Sequence, residues 1–115
     1  MPEKMVLRPG GPDFLDLPWH LSLSEWQGVC PRLEDAPRGL SRHPVVFVNY
    51  NGWLYAIKEL PKGVAEKEYR LLAEIEARHL PTVSPVGYIE AFPGHERASF
   101  LITRFLDGSL PYRML

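Results

Sequence analysis

A single cysteine, Cys30, stands among 115 residues, so no disulfide forms within the chain, and a lone thiol suits a reducing cytoplasm. An excess of one charge is lacking too: thirteen basic residues face fourteen acidic ones, for a net charge of -1. That balance argues against bulk electrostatic binding of nucleic acid or an anionic membrane, though not against a local patch. No apolar run exceeds six residues, far short of a membrane span, and the first thirty positions carry no signal-peptide pattern. His20, His43, His79 and His95 are scattered without paired ligand spacing, which argues against a metal site. Cys30 has no base partner in the sequence and reads as a buried or incidental thiol. What remains is 45% hydrophobic and 23% charged. At 13.2 kDa this suffices for one domain that buries roughly two-thirds of its unfolded surface.

Twelve prolines and nine glycines predict short elements and well-marked turns. Residues 1–37 hold half of those prolines and no long periodic run. Leu15, Leu17, Trp19, Leu21, Leu23 and Trp26 are too apolar for a free tail, so this segment reads as an ordered extension docked on the domain. Ser22-Leu23-Ser24-Glu25 has capping-box spacing and predicts one short helix. Trp19, Trp26 and Trp53 read as packing anchors, since no basic run interleaves them as in a base-stacking platform.

The clearest local signal is VVFVNYNGWLYAIKEL, residues 45–60. Asn51-Gly52 tolerates positive φ at both positions and predicts a two-residue hairpin. That turn sets Tyr50 opposite Trp53, Val48 opposite Tyr55, Phe47 opposite Ala56 and Val45 opposite Lys58. Alternation then places Val45, Phe47, Leu54, Ala56 and Lys58 on one side of the sheet, an unusual position for a lysine. Residues 62–79 predict a helix with Val64, Ala65, Leu71, Leu72 and Ile75 as its apolar stripe. Its carboxylates find local partners (Glu66 with Arg70, Glu74 with Arg70 and Arg78, Glu76 with His79), except Glu68. Glu68 lies within the stripe and needs a cation from elsewhere in the fold. Runs 83–92 and 98–106, joined by the turn-like Pro93-Gly94-His95-Glu96, predict a second hairpin, with Pro85 at a strand start or edge. The expected fold is α+β: an antiparallel sheet of four to five strands with one main helix packed on it, plus the extension.

These residues resemble the N-terminal lobe of the protein-kinase fold. YAIKEL is similar to the V-A-I-K pattern, and the resemblance makes Lys58 the lysine that orients ATP phosphates and Glu68 its helix partner. LITRFLDGSL resembles the last strand and hinge, with Thr103 near the gatekeeper position and Arg104, Phe105 and Leu106 at the hinge. By the same resemblance Ala56 and Val45 border the adenine slot, and Gly39 and Ser41 in RGLSRH stand where the phosphate-covering loop would be. The matches cover roughly residues 38–110 and imply two parts, a proline-rich extension at 1–37 and a kinase-like lobe at 38–115. RGLSRH, KELP, AEKEYRLL, FLDGSLPYR and an early DLPW are closer still to an uncharacterised bacterial kinase-like family related to lipopolysaccharide kinases.

Two departures limit what the resemblance implies. The G-x-G-x-x-G fingerprint is absent, with Gly39 alone in the loop. After Lys58 the sequence holds one aspartate, Asp107, and no catalytic-loop or metal-binding aspartate. ATP and magnesium are therefore expected of a full-length protein, with weak or no binding by this chain. Three functions compete: the nucleotide lobe of an atypical kinase, incomplete for catalysis; a non-catalytic interaction module that meets itself, a partner protein or a C-terminal lobe through its underside; and an unrelated α+β domain whose Lys58 and Glu68 form a structural salt bridge.

Overall fold

The computed structural model of the chain describes residues 4–34, 43–80, 83–92 and 95–104. Six antiparallel strands form one sheet: β1 (Lys4–Leu7), β2 (Leu33–Glu34), β3 (Val45–Tyr50), β4 (Trp53–Pro61), β5 (Ser84–Phe92) and β6 (His95–Arg104), in the order β1-β5-β6-β4-β3-β2. One helix, α1 (Val64–Ala77), and a 3₁₀ turn at Leu23–Glu25 complete the regular structure. The sheet thus has six strands rather than four to five. Both additional strands, β1 and β2, come from the N-terminal segment and extend opposite edges of the sheet.

The β3–β4 hairpin takes the register that Asn51-Gly52 dictates, with Tyr50 opposite Trp53, Phe47 opposite Ala56 and Val45 opposite Lys58. Asn51 and Gly52 both have positive φ, 54° and 88°, and the Asn49 side chain accepts the Gly52 N–H at 3.0 Å. These values match the two-residue turn whose twist suits the flanking strands. Pro85 lies at the start of β5, beside a bulge and beyond the reach of β1, where its missing N–H breaks no ladder.

Each face of the sheet has its own cover. On one face Val48, Ile57, Ile89, Phe100 and Ile102 pack beneath Phe14, Leu17, Trp19, Leu23, Trp26 and Cys30 of the extension. Trp19 and Trp26 are almost fully buried and meet edge-on with ring centroids 5.4 Å apart. Each indole N–H donates to a backbone carbonyl, Phe14 at 2.7 Å and Leu21 at 3.2 Å, so burying these polar edges leaves no donor unmade. Trp53 departs from expectation: it is 45% exposed and packs beneath the Arg104 guanidinium rather than in the core. The short helix also departs, because Ser22 gives no side-chain cap and its hydroxyl meets that of Ser24 at 3.0 Å. The cap comes from the sheet, where the Glu59 carboxylate accepts the Leu23 N–H at 2.8 Å.

On the other face Ala65 of α1 packs with Leu60, Tyr88 and Leu101, flanked by Val64, Tyr69 and Leu72. The apolar stripe is rotated from the expected one: Tyr69 lies inside it, while Leu71 is 57% exposed. Helix and sheet are joined at the N-terminus of α1. The buried Ser99 hydroxyl accepts the Ala65 N–H at 3.0 Å and donates to the Pro61 carbonyl at 2.7 Å. Glu90, also buried, accepts the N–H of Gly63, which adopts a left-handed φ of 83°. These side chains satisfy helix donors that no residue of α1 caps. No described helix is long and apolar enough to cross a membrane.

Candidate functional site

Strand alternation sends Val45, Phe47, Ala56, Lys58, Leu101 and Thr103 to the face that carries α1. Cross-strand pairing arranges them in two rows: Phe47, Ala56 and Thr103 in one, Val45, Lys58 and Leu101 in the next. Phe47 and Thr103 are buried, whereas Val45, Ala56 and Lys58 are half-buried. The helix packs mainly over β5 and β6 and reaches β4 with its flank. Glu68 is on that flank, one turn after Val64 and close to Leu71 and Ile75 at helical spacing.

The two charged side chains expected to meet do so. Lys58 Nζ lies 3.8 Å from Glu68 Oε1, with side-chain exposures of 33% and 38%. The separation is that of an ion pair and exceeds a direct hydrogen bond. Because both groups remain partly solvated, the pair contributes at most about 1 kcal/mol to stability. Its chemical consequence is positional: a primary ammonium is held among Val45, Ala56 and Leu101, with donors to spare beyond the carboxylate.

Other helix charges follow simple spacing in part. Arg70 pairs with Glu66, and Arg78 with Glu74 at 2.7 Å. Glu76 does not pair with His79. It meets Arg8 at 2.8 Å, while His79 follows the helix with a φ of 61°. A partner that arrives from just past β1 is invisible to i, i+3 counting.

Across the sheet, a second polar cluster ties the extension down. The Tyr50 hydroxyl donates to Asp16, Arg32 Nε meets the same carboxylate at 2.6 Å, and the Arg32 guanidinium stacks 3.8 Å from the Tyr50 ring centroid. Burial alone would raise the Asp16 carboxyl. The hydrogen bonds from Tyr50 and Arg32 outweigh it and hold the carboxyl below its usual range. Burial, followed by the hydrogen bond to Asp16, pushes the Tyr50 phenol far above its own.

No family model, no curated protein and no solved structure matches the chain. Of the expected site residues, Lys58, Glu68, Ala56, Val45 and Thr103 share one face around the ion pair. Gly39, Ser41, Phe105 and Leu106 lie outside the described residues. Leu101 joins Lys58 from β6, a neighbour that the pairing of β4 with β6 sets and that the hairpin signal alone could not give.

Proposed function

We propose that this chain is the nucleotide-binding lobe of an atypical kinase-like protein, with Lys58 as its phosphate contact, Glu68 as the group that orients Lys58, and Ala56 and Val45 beside the base. The observation that carries this reading is the ion pair between a strand lysine and a helix glutamate, 3.8 Å apart. The order β3–β4–α1–β5–β6 gives further support, as does Thr103 opposite Ala56. Gly39, Ser41, Phe105 and Leu106 keep their proposed roles at the phosphate loop and hinge. Lys58 suits a phosphate contact, since its ammonium is a compact point charge, and the side chains beside it, Ala56 and Val45, are small and apolar as a base neighbour would be.

The donor set for magnesium does not fit. Among the described residues no three His, Cys, Asp or Glu side chains gather to hold an ion. No transfer step is therefore assigned to this chain, and the carboxylates that such a step requires belong to a companion lobe. A cytoplasmic setting accords with the buried free thiol of Cys30.

Titration with ATP followed by amide chemical shifts tests the proposal. We expect weak binding, in the millimolar range, with shifts at Ala56, Lys58 and Thr103 that Lys58→Met abolishes. Shifts confined to other regions, or unchanged in Lys58→Met, would remove Lys58 from a phosphate site. Tight magnesium-dependent binding would overturn the assignment of the metal ligands to another lobe.

The exposed Leu71 beside Glu68 favours a second reading, in which the flank of α1 is an interaction surface for a partner protein or another copy. Sedimentation at high concentration separates self-association from the rest: a monomer that Leu71→Asp leaves unchanged counts against pairing of two copies.

A further inference from the structure

On the face opposite Lys58, where β6 ends, lies a cleft of about 670 Å³. Its walls are the Arg8–Pro12 segment, the tip of the β3–β4 hairpin, Tyr55, the start of β5 and Arg104. The volume falls within the range of small-molecule sites. The charged side chains of the lining are two arginines, with no carboxylate among them.

The two arginines differ in their commitments. Arg8 is engaged by the Tyr69 hydroxyl at 3.4 Å and by Glu76 at 2.8 Å, on the helix side. Arg104 has no such partner: its Nε is buried without a hydrogen bond among the described residues, and its guanidinium lies 4.8 Å from the Trp53 ring centroid. Stacking on an indole favours the cation and fixes its plane, yet leaves the in-plane N–H edge unused. The planar fork of a guanidinium fits the two oxygens of a carboxylate. The Tyr50 hydroxyl is turned away toward Asp16, so it does not compete for the acceptor. Pro9, Pro12, Pro85 and Val86 supply an apolar wall beside the charge.

We propose that this cleft binds a small aromatic carboxylate, its oxygens on the Arg104 guanidinium and its ring against the proline and tyrosine wall. The site is independent of the nucleotide reading, because Arg104 and Tyr55 pair across the sheet face opposite Ala56 and Lys58. The indole of Trp53 serves as the platform that orients Arg104, which accounts for a half-exposed tryptophan at a hairpin tip.

Phenylacetate, its neutral isostere phenylacetamide, and phenyl phosphate are the probes. Binding is followed by the Trp53 indole and Arg104 Nε–H signals in ¹⁵N–¹H spectra. Phenylacetate should give saturable shifts at both groups, and phenylacetamide should bind at least about tenfold more weakly. Arg104→Gln should lose a similar factor, and Arg104→Lys should retain part of the affinity through charge alone. The amide comparison needs no variant, so it decides the matter even where Arg104→Gln disturbs the fold. Equal binding of acid and amide, shifts confined to other surfaces, or no saturation at concentrations on the order of 10 mM would overturn the proposal. Phenyl phosphate binding more than about tenfold tighter than phenylacetate would overturn the choice of a carboxylate.

Discussion

The Asp16 carboxylate joins two segments that are far apart in sequence, and its protonation state is therefore coupled to folding. Its acidity in the folded chain is greater than in the unfolded chain, because Tyr50 and Arg32 stabilise the anion more than burial disfavours it. A depressed carboxyl contributes stability above its unfolded value, about pH 4, and loses it as pH falls through the folded value. Tyr50 acts at the other limit: its raised phenol contributes below about pH 10, and that contribution fades as pH climbs above it. Asp16→Asn should lower stability by less than about 1 kcal/mol at neutral pH, since the carboxylate is half-exposed. The deficit should shrink as pH falls through the folded value, where the wild-type carboxyl becomes protonated too. Urea unfolding at several pH values measures both effects; a deficit that persists unchanged in acid would mean that the charge of Asp16 is not what matters. The Lys58–Glu68 pair calls for a different experiment. A double-mutant cycle with Lys58→Met and Glu68→Gln should give a coupling below about 1 kcal/mol, because a 3.8 Å pair exposed by a third is well solvated. A coupling of several kcal/mol would mark a buried, structural bridge and favour the unrelated α+β reading.

At the scale of elements, what could be read from the chain was whatever a local rule governs. Asn51-Gly52 determines a turn, the turn determines the register, and the register determines which side chains accompany Lys58; each link is a short-range steric fact. The partner of Glu68 was legible for the opposite reason, since an unpaired carboxylate on an apolar stripe demands a cation. β1 and β2 were not legible. Strands of four and two residues carry too little alternation to stand out, and both exist only because an already formed sheet offers an edge. Leu71 was misplaced because periodicity defines a stripe but not the line along which the sheet meets it. Tyr69, amphipathic and one position outside the apolar set, decided that line by packing on Tyr88 with ring centroids 5.3 Å apart. The pairing of β1 with β5 carries a steric condition of its own at Gly87. A Cβ there would stand 2.1 Å from the Val6 carbonyl oxygen and 2.7 Å from Leu7 Cδ2, and the first of these is backbone that cannot rotate aside. Gly87→Ala should cost about 1–3 kcal/mol and act locally, releasing Met5–Leu7 from β5. Hydrogen exchange should show lost protection in β1 with the β3–β4 hairpin unchanged; retained protection throughout β1 would show that the strand shifts to accommodate the methyl group.

For the molecule as a whole, the N-terminal segment is half of the core rather than an appendage. A sheet with one helix covers one face, and the other face of this sheet presents Val48, Ile57, Ile89, Phe100 and Ile102, all almost completely buried. Phe14, Trp19 and Trp26 bury them, and Trp19 reaches Phe100 of the central strand β6 with ring centroids 5.1 Å apart. Each fully buried tryptophan replaced by alanine costs about 3–5 kcal/mol, against a total near 5–15 kcal/mol for a domain. Trp26→Ala alone should therefore consume a large part of the stability, and a chain beginning at residue 43 should lose the cover of one face entirely. That shorter chain should bind a hydrophobic dye and melt without a cooperative transition, even though it keeps the hairpin, α1 and the Lys58–Glu68 pair. The contrast matters for function. A domain that folds only with its own N-terminal cover has that face occupied, which leaves the side of α1, where Glu68 and Leu71 lie, as the less covered face for a larger partner. If the shorter chain instead unfolds cooperatively with a stability close to that of the whole, the cover is dispensable and the extension's face is as open to partners as the helix's.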